Sequence, residues 1–173
     1  GETPTLIVGH AVVTAMDAAV RFRLGRAISL LRDRAVALEK LAVTEVRLLI
    51  AAAVYLADQR VTFDFSNEQL QTASRNLQRH LSRKARRALT LSVARLMHET
   101  VEVESWINGV IDSANRAGVF VGGDVLAALD ELIEPLRVPS VRARKSTDEI
   151  VGVLRQNGPA ARLVRFSVSR NYL

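Results

Sequence analysis

The 173-residue chain contains no cysteine. That excludes a disulfide framework and a thiolate metal site, and it fits a reducing, cytoplasmic setting. Phe, Trp and Tyr together make up only 5% of the residues; a chain so dominated by Ala and aliphatic side chains reads as packed helices and not as a β-sandwich. The longest apolar run, Leu48 to Ala57, has ten residues, about half of what a membrane span needs. Gly1-Glu2-Thr3 is not followed by the basic and then apolar stretch of a signal peptide, and the chain reads as one domain taken from a longer protein. No glycine-rich phosphate loop is present, no Ser, His and Asp are grouped as a nucleophile would require, and no helical repeat is visible. No cofactor is expected.

Histidine is scarce as well. His10, His80 and His98 are far apart, and except for Glu102, four residues after His98, none has a carboxylate or second His at the helical spacing a metal site uses. His98-Glu-Thr-Val-Glu102 begins like HExxH but ends in Glu, and it reads as a surface coincidence able at most to hold a weak metal.

What is present is helical periodicity over a length suited to one compact domain, residues 1–173. The expected class is mainly α, with at most a short N-terminal strand at Thr5–Val8, a β-branched run that Gly9 ends. Asp17 is placed to cap a helix whose buried stripe is Val20, Leu24, Ala27, Ile28 and Leu31, with Gly25 and Ser29 allowing a neighbour to approach. Thr44 to Ala57 is apolar nearly all round and reads as a central helix. Ser66-Asn-Glu-Gln69 is a capping box opening a long helix with Leu70, Ala73, Leu77 and Leu81 on one face, with a break or bend between Ser82 and Arg87. A helix from Glu104 to about Phe120 ends at Gly122-Gly123, Asp124 caps the next, and Ser146-Thr-Asp-Glu149 caps another that Gly158-Pro159 stops.

Lys and Arg outnumber Asp and Glu by 24 to 18, a net charge of +6. Arg75, Arg79, Arg83 and Arg86 or Arg87 recur every three or four residues, a stripe along one helix with His80 and Lys84 beside it. Such a stripe suits phosphates, and basic helical nucleic-acid binding is the alternative reading of the chain. The same helix lacks an aromatic for base stacking, and a solvated face is the plainer explanation. Arg142-Ala-Arg-Lys145 reads as a solvated linker.

Two segments carry a more pointed pattern, Arg21-Phe-Arg-Leu-Gly-Arg-Ala-Ile-Ser-Leu-Leu-Arg32 and Ile111-Asp-Ser-Ala-Asn-Arg-Ala-Gly118. Pro4-Thr-Leu-Ile-Val-Gly9 precedes the first, and residues 119–133 follow the second. Residues 4–32 and 106–133 together resemble gluzincin metallopeptidases of the CAAX-prenyl-protease type, in which one helix carries HExxH and a later helix, E-x-x-x-D-R-x-G, carries the third zinc ligand. Aligned on that family, Arg26 and Leu30 stand at the two histidines, Ala27 at the general-base Glu, Ile111 at the third ligand and Asn115 at the Asp. Leu and Ile offer no lone pair and Arg is a permanent cation. Without a metal and a base there is no activated water, so the resemblance implies a catalytically inactive, metal-free domain. It further implies a protein-interaction or scaffolding role with a protein partner. In that role Thr5, Leu6, Ile7 and Val8 pair with an extended peptide by β-augmentation, and Arg26 offers a fixed charge to a carboxylate of the partner or of this chain.

Overall fold

The computed structural model describes residues 5–96, 102–144 and 146–169, and among these the chain is mainly α-helical without a strand. Nine α-helices follow in order: α1 His10–Thr14, α2 Ala18–Arg32, α3 Val43–Ala57, α4 Asn67–His80, α5 Arg83–Leu96, α6 Val103–Gly122, α7 Val125–Ile133, α8 Thr147–Gln156 and α9 Gly158–Ser167. None of the described helices is long and apolar enough to cross a membrane. The chain gathers into two compact units, one made of residues 1–39 and 108–173, the other of residues 40–107.

The first unit is assembled by caps that close each helix start. The Asp17 carboxylate accepts from the Val20 N–H at 2.8 Å, and Asp124 accepts from Ala127 at 3.0 Å. Ser146 accepts from Glu149 at 3.2 Å and Asn157 from Ala160 at 2.9 Å. Each satisfies an N–H that the first helical turn otherwise leaves unpaired. Gly123, at φ +70°, lets the chain leave α6 and turn at once into the Asp124 cap. Gly158-Pro159 do more than stop α8: they form the first turn of α9, where proline's missing N–H costs nothing.

The core of this unit is built from Phe22 of α2, Val119 of α6, Leu129 and Ile133 of α7, Val153 of α8 and Leu163 of α9. Phe22 is 1% exposed, and burying such a ring contributes about 1.5–3 kcal/mol. This shifts the inward face of α2 from the expected stripe. Val20 is buried and Leu24, Ala27 and Leu31 are half-buried, but Ile28 is 57% exposed, while Phe22, Gly25, Ser29 and Leu30 turn inward. The reason is the neighbour: α6 comes so near that a Cβ on Gly118 would lie 2.7 Å from the Phe22 ring and carbonyl, and one on Gly25 2.8 Å from Val121. Asp130 accepts from the Ser140 hydroxyl at 2.7 Å and from the Val141 N–H, fastening the turns after α7.

In the second unit α4 and α5 both pack on α3, the central helix the apolar run predicts. Ala51 and Ala52 are buried, so backbones approach closely, and the buried Ser74 hydroxyl donates to the Ala52 carbonyl at 3.2 Å. The capping box at α4 forms on both sides, Gln69 N–H to the Ser66 hydroxyl at 3.2 Å and Ser66 N–H to the Gln69 side chain at 3.0 Å. Leu81 then takes an extended conformation (ψ 126°) and ends the helix. The arginine stripe therefore does not run along one helix: Arg75 and Arg79 belong to α4, and Arg83, Arg86 and Arg87 open α5.

Candidate functional site

The positions aligned with a zinc site lie in the first unit, on α2 and the part of α6 that belongs to it. Arg26 is engaged within the chain, its Nη2 2.8 Å from a Glu39 carboxylate oxygen, with both side chains about a quarter exposed. Leu30 is 1% exposed and forms an apolar cluster with Ala35 and Ala114, against which Val110, Ile111 and Leu38 pack. The alignment thus brings Leu30 and Ile111 together, and what they make together is dry hydrocarbon packing. Ala27 is half-buried on the neighbouring side of α2.

Asn115 is the polar exception. It is 1% exposed, and neither its Oδ1 nor its Nδ2 has a protein partner among the described residues. Beside it, Asp112 holds the Arg162 Nε of α9 at 2.6 Å, and the same guanidinium donates to the Asn108 side chain at 3.1 Å. One Asp112 oxygen is buried without a partner. Arg116 stacks its guanidinium 4.9 Å from the centre of the Phe166 ring. Asp112 and Arg162 stand 50 residues apart, so no local pattern in the sequence announces the pair; nor does any announce Arg26 and Glu39.

Two further carboxylates of this unit are displaced from their ordinary behaviour. The bond from the Ala127 N–H, followed by the Arg142 ion pair, holds Asp124 below the usual carboxylate range. Burial raises Glu131, and its ion pair with Arg23 at 3.2 Å opposes that only in part.

Residues 5–9 form no strand, because no other described segment is extended alongside to pair with. They run as an arm near α2, and Leu6, Ile7 and Val8 border a groove of about 230 Å³ whose other wall includes Val20, Leu24 and Ala27. Among the described residues the backbone N–H and C=O groups of Leu6, Ile7 and Val8 make no backbone hydrogen bond. Ile7 is 91% exposed. Arg23 at the groove's edge is paired with Glu131, so the groove itself is apolar with a neutralised rim.

In the second unit Arg75, Arg79, Arg83, Arg86 and Arg87 are all exposed, as is Lys84. The second basic cluster is engaged internally: Arg142 pairs with Asp124, and Arg144 donates to the Pro139 carbonyl at 3.0 Å. His98 lies outside the described residues, and of the HExxH-like stretch that begins with it only Glu102 is described, as an exposed residue. Among the described residues no three His, Asp or Glu side chains are grouped as a metal site requires. The chain matches no family model, no curated protein and no solved structure.

Proposed function

We propose that this chain is a metallopeptidase-like helical domain without a catalytic centre, and that it holds an extended segment of a partner protein. The observation that carries the reading is the arm at residues 6–8, whose peptide groups make no backbone hydrogen bond among the described residues and lie beside an apolar groove. An extended partner strand satisfies such groups by β-augmentation, while every second side chain of that strand enters the groove. The loss of chemistry is supported by the filling of the aligned positions. Leu30, Ile111 and Ala114 pack together and Arg26 is ion-paired to Glu39, so none of Arg26, Ala27, Leu30 and Ile111 offers a metal a lone pair or water a base.

The test is selection of displayed random peptides on the purified 173-residue chain, followed by amide shifts and exchange rates of residues 6–8. Selected peptides are expected to slow exchange at Ile7 and Val8. Ile7→Pro, which removes one N–H from a residue that is 91% exposed, is expected to abolish binding without lowering the melting temperature. Peptides that bind the Ile7→Pro variant equally well, or a selection that returns none, overturn the reading.

A further inference from the structure

Residues 67–96 contain seven Arg or Lys and one Glu, a surplus as large as the +6 of the whole chain. The described residues form six ion pairs, and all six lie outside this stretch. Elsewhere arginines are neutralised by Glu131, Glu39, Asp33, Asp58, Asp124 and Asp112. On α4 and α5 no cation among the described residues has a carboxylate.

The placement follows from the inner faces. Leu70, Ser74 and Val93 are buried and Leu77, Ala85 and Leu89 half-buried, which turns Arg75 and Arg79 of α4 and Arg83, Lys84 and Arg87 of α5 to the outside. Arg86 is oriented at the joint, its Nε donating to the Leu81 carbonyl at 3.1 Å. The first turn of α5 carries no acidic residue. Four of the first five residues of this helix are basic and crowd the positive end of a helix dipole, where anions are favoured and cations are not. Local contradictions of that kind persist where function requires them. Arg79 and Arg83 are four residues apart and so lie within about 14 Å of each other, within reach of one run of phosphates.

We infer that the α4–α5 joint binds the phosphate backbone of double-stranded nucleic acid without reading its sequence. Three observations select this occupant. Residues 67–96 contain no Phe, Tyr or Trp, and the single imidazole of His80 is too little to stack a run of unpaired bases. Leu91 is the one large apolar side chain exposed on these helices among the described residues, too little to anchor a helix in a bilayer. Exposed arginines that no carboxylate of the described residues neutralises are the groups that position a protein on a duplex. This site belongs to the second unit and is independent of the peptide groove.

The test is fluorescence anisotropy of the 173-residue chain with a labelled mixed-sequence 20-base-pair duplex, prepared as DNA and as RNA, at several salt concentrations. Five phosphate contacts give a slope of log K against log salt near −4.5 on DNA, from about 0.9 per contact. Replacing Arg75, Arg79, Arg83 and Arg87 together by Gln is expected to lower affinity more than tenfold at low salt and to flatten the slope by three to four, roughly one per arginine, with no change in melting temperature. Removing the same charge through Arg32, Arg34, Arg155 and Arg165 is expected to have a much smaller effect. Binding to DNA alone or RNA alone with this arginine dependence sustains the inference and identifies the polymer. Equal losses in the two quadruple variants, tighter binding to the single strands than to the duplex, or binding only to vesicles containing phosphatidylserine overturn it.

Discussion

Gly118→Ala and Gly109→Ala are the same substitution in the same helix, and the structure assigns them opposite signs. Alanine in a helix interior is favoured over glycine by about 0.8–1 kcal/mol, because glycine has more backbone freedom to lose. At Gly109 nothing lies within 4 Å of the added Cβ, so the full gain is expected and the protein becomes about 1 kcal/mol more stable. At Gly118 the added Cβ meets the Phe22 carbonyl oxygen at 2.7 Å and the Phe22 ring at 2.7 and 2.8 Å. The oxygen belongs to helical backbone and the ring is 1% exposed within the core, so neither yields by rotating into solvent. Overpacking of this kind costs about 1–3 kcal/mol, here at the upper end because a main-chain atom is involved. Subtracting the propensity gain leaves a net loss of about 1–2 kcal/mol. Urea unfolding of the two variants, fitted with a common m-value, measures both numbers. A Gly118→Ala variant as stable as Gly109→Ala would refute the close approach of α2 and α6.

Three other outcomes follow from the same geometry. Asp124→Ala removes the α7 cap and the partner of Arg142, and is expected to cost about 1–2 kcal/mol at neutral pH; because the folded pKa of Asp124 lies below its ordinary value, that contribution is present above the carboxylate range and fades as pH falls through it, so the difference from wild type is expected to shrink in melts at acid pH. Arg162→Ala leaves the Asp112 carboxylate, 14% exposed, without its cation, and is expected to destabilise by about 2–4 kcal/mol in urea titrations, less when Asp112→Asn is added. Introducing Arg26→His, Ala27→Glu, Leu30→His and Ile111→Glu together is expected to lower the melting temperature sharply, since Leu30 is 1% exposed in hydrocarbon, and to recover it with one zinc per chain by elemental analysis. A destabilised variant that takes up no zinc would sink the metallopeptidase resemblance.

Much of the fold was legible in the sequence where the determinant is local. Asp17, Ser66, Asp124 and Ser146 act as caps where the pattern places them, because a side chain meeting an N–H three residues on needs no tertiary neighbour. The stretch from Thr44 to Ala57 is central because beyond Glu45 and Arg47 in its first turns it carries no charged side chain to give to water. On α2 the pattern finds Val20 and the small residues Gly25 and Ser29 on the buried side but misplaces Ile28, which is exposed, and misses Phe22 and Leu30, which are buried. The two candidate faces of this helix are both partly apolar, and a glycine-lined approach by α6 decides between them. The sequence signals a break between Ser82 and Arg87, yet the arginines keep a helical spacing across it because 3.6-residue periodicity survives a two-residue joint; the extended Leu81 puts the stop just before that point and divides the stripe between two helices.

The candidate site divides the same way. That Leu30, Ile111 and Ala27 lack lone pairs, and that Arg26 cannot bind a metal, is a property of side-chain chemistry and was settled by the sequence alone. That Arg26 meets Glu39, that Asp112 meets Arg162 across 50 residues, and that Asn115 is enclosed with both polar atoms unpartnered were decided by tertiary structure. Sequence determines which groups a chain can offer and which helices they ride on, because these depend on spacing within a turn or two. Which of those groups are neutralised, buried or left facing outward depends on contacts between segments far apart in the chain, and those exist only once the helices have packed.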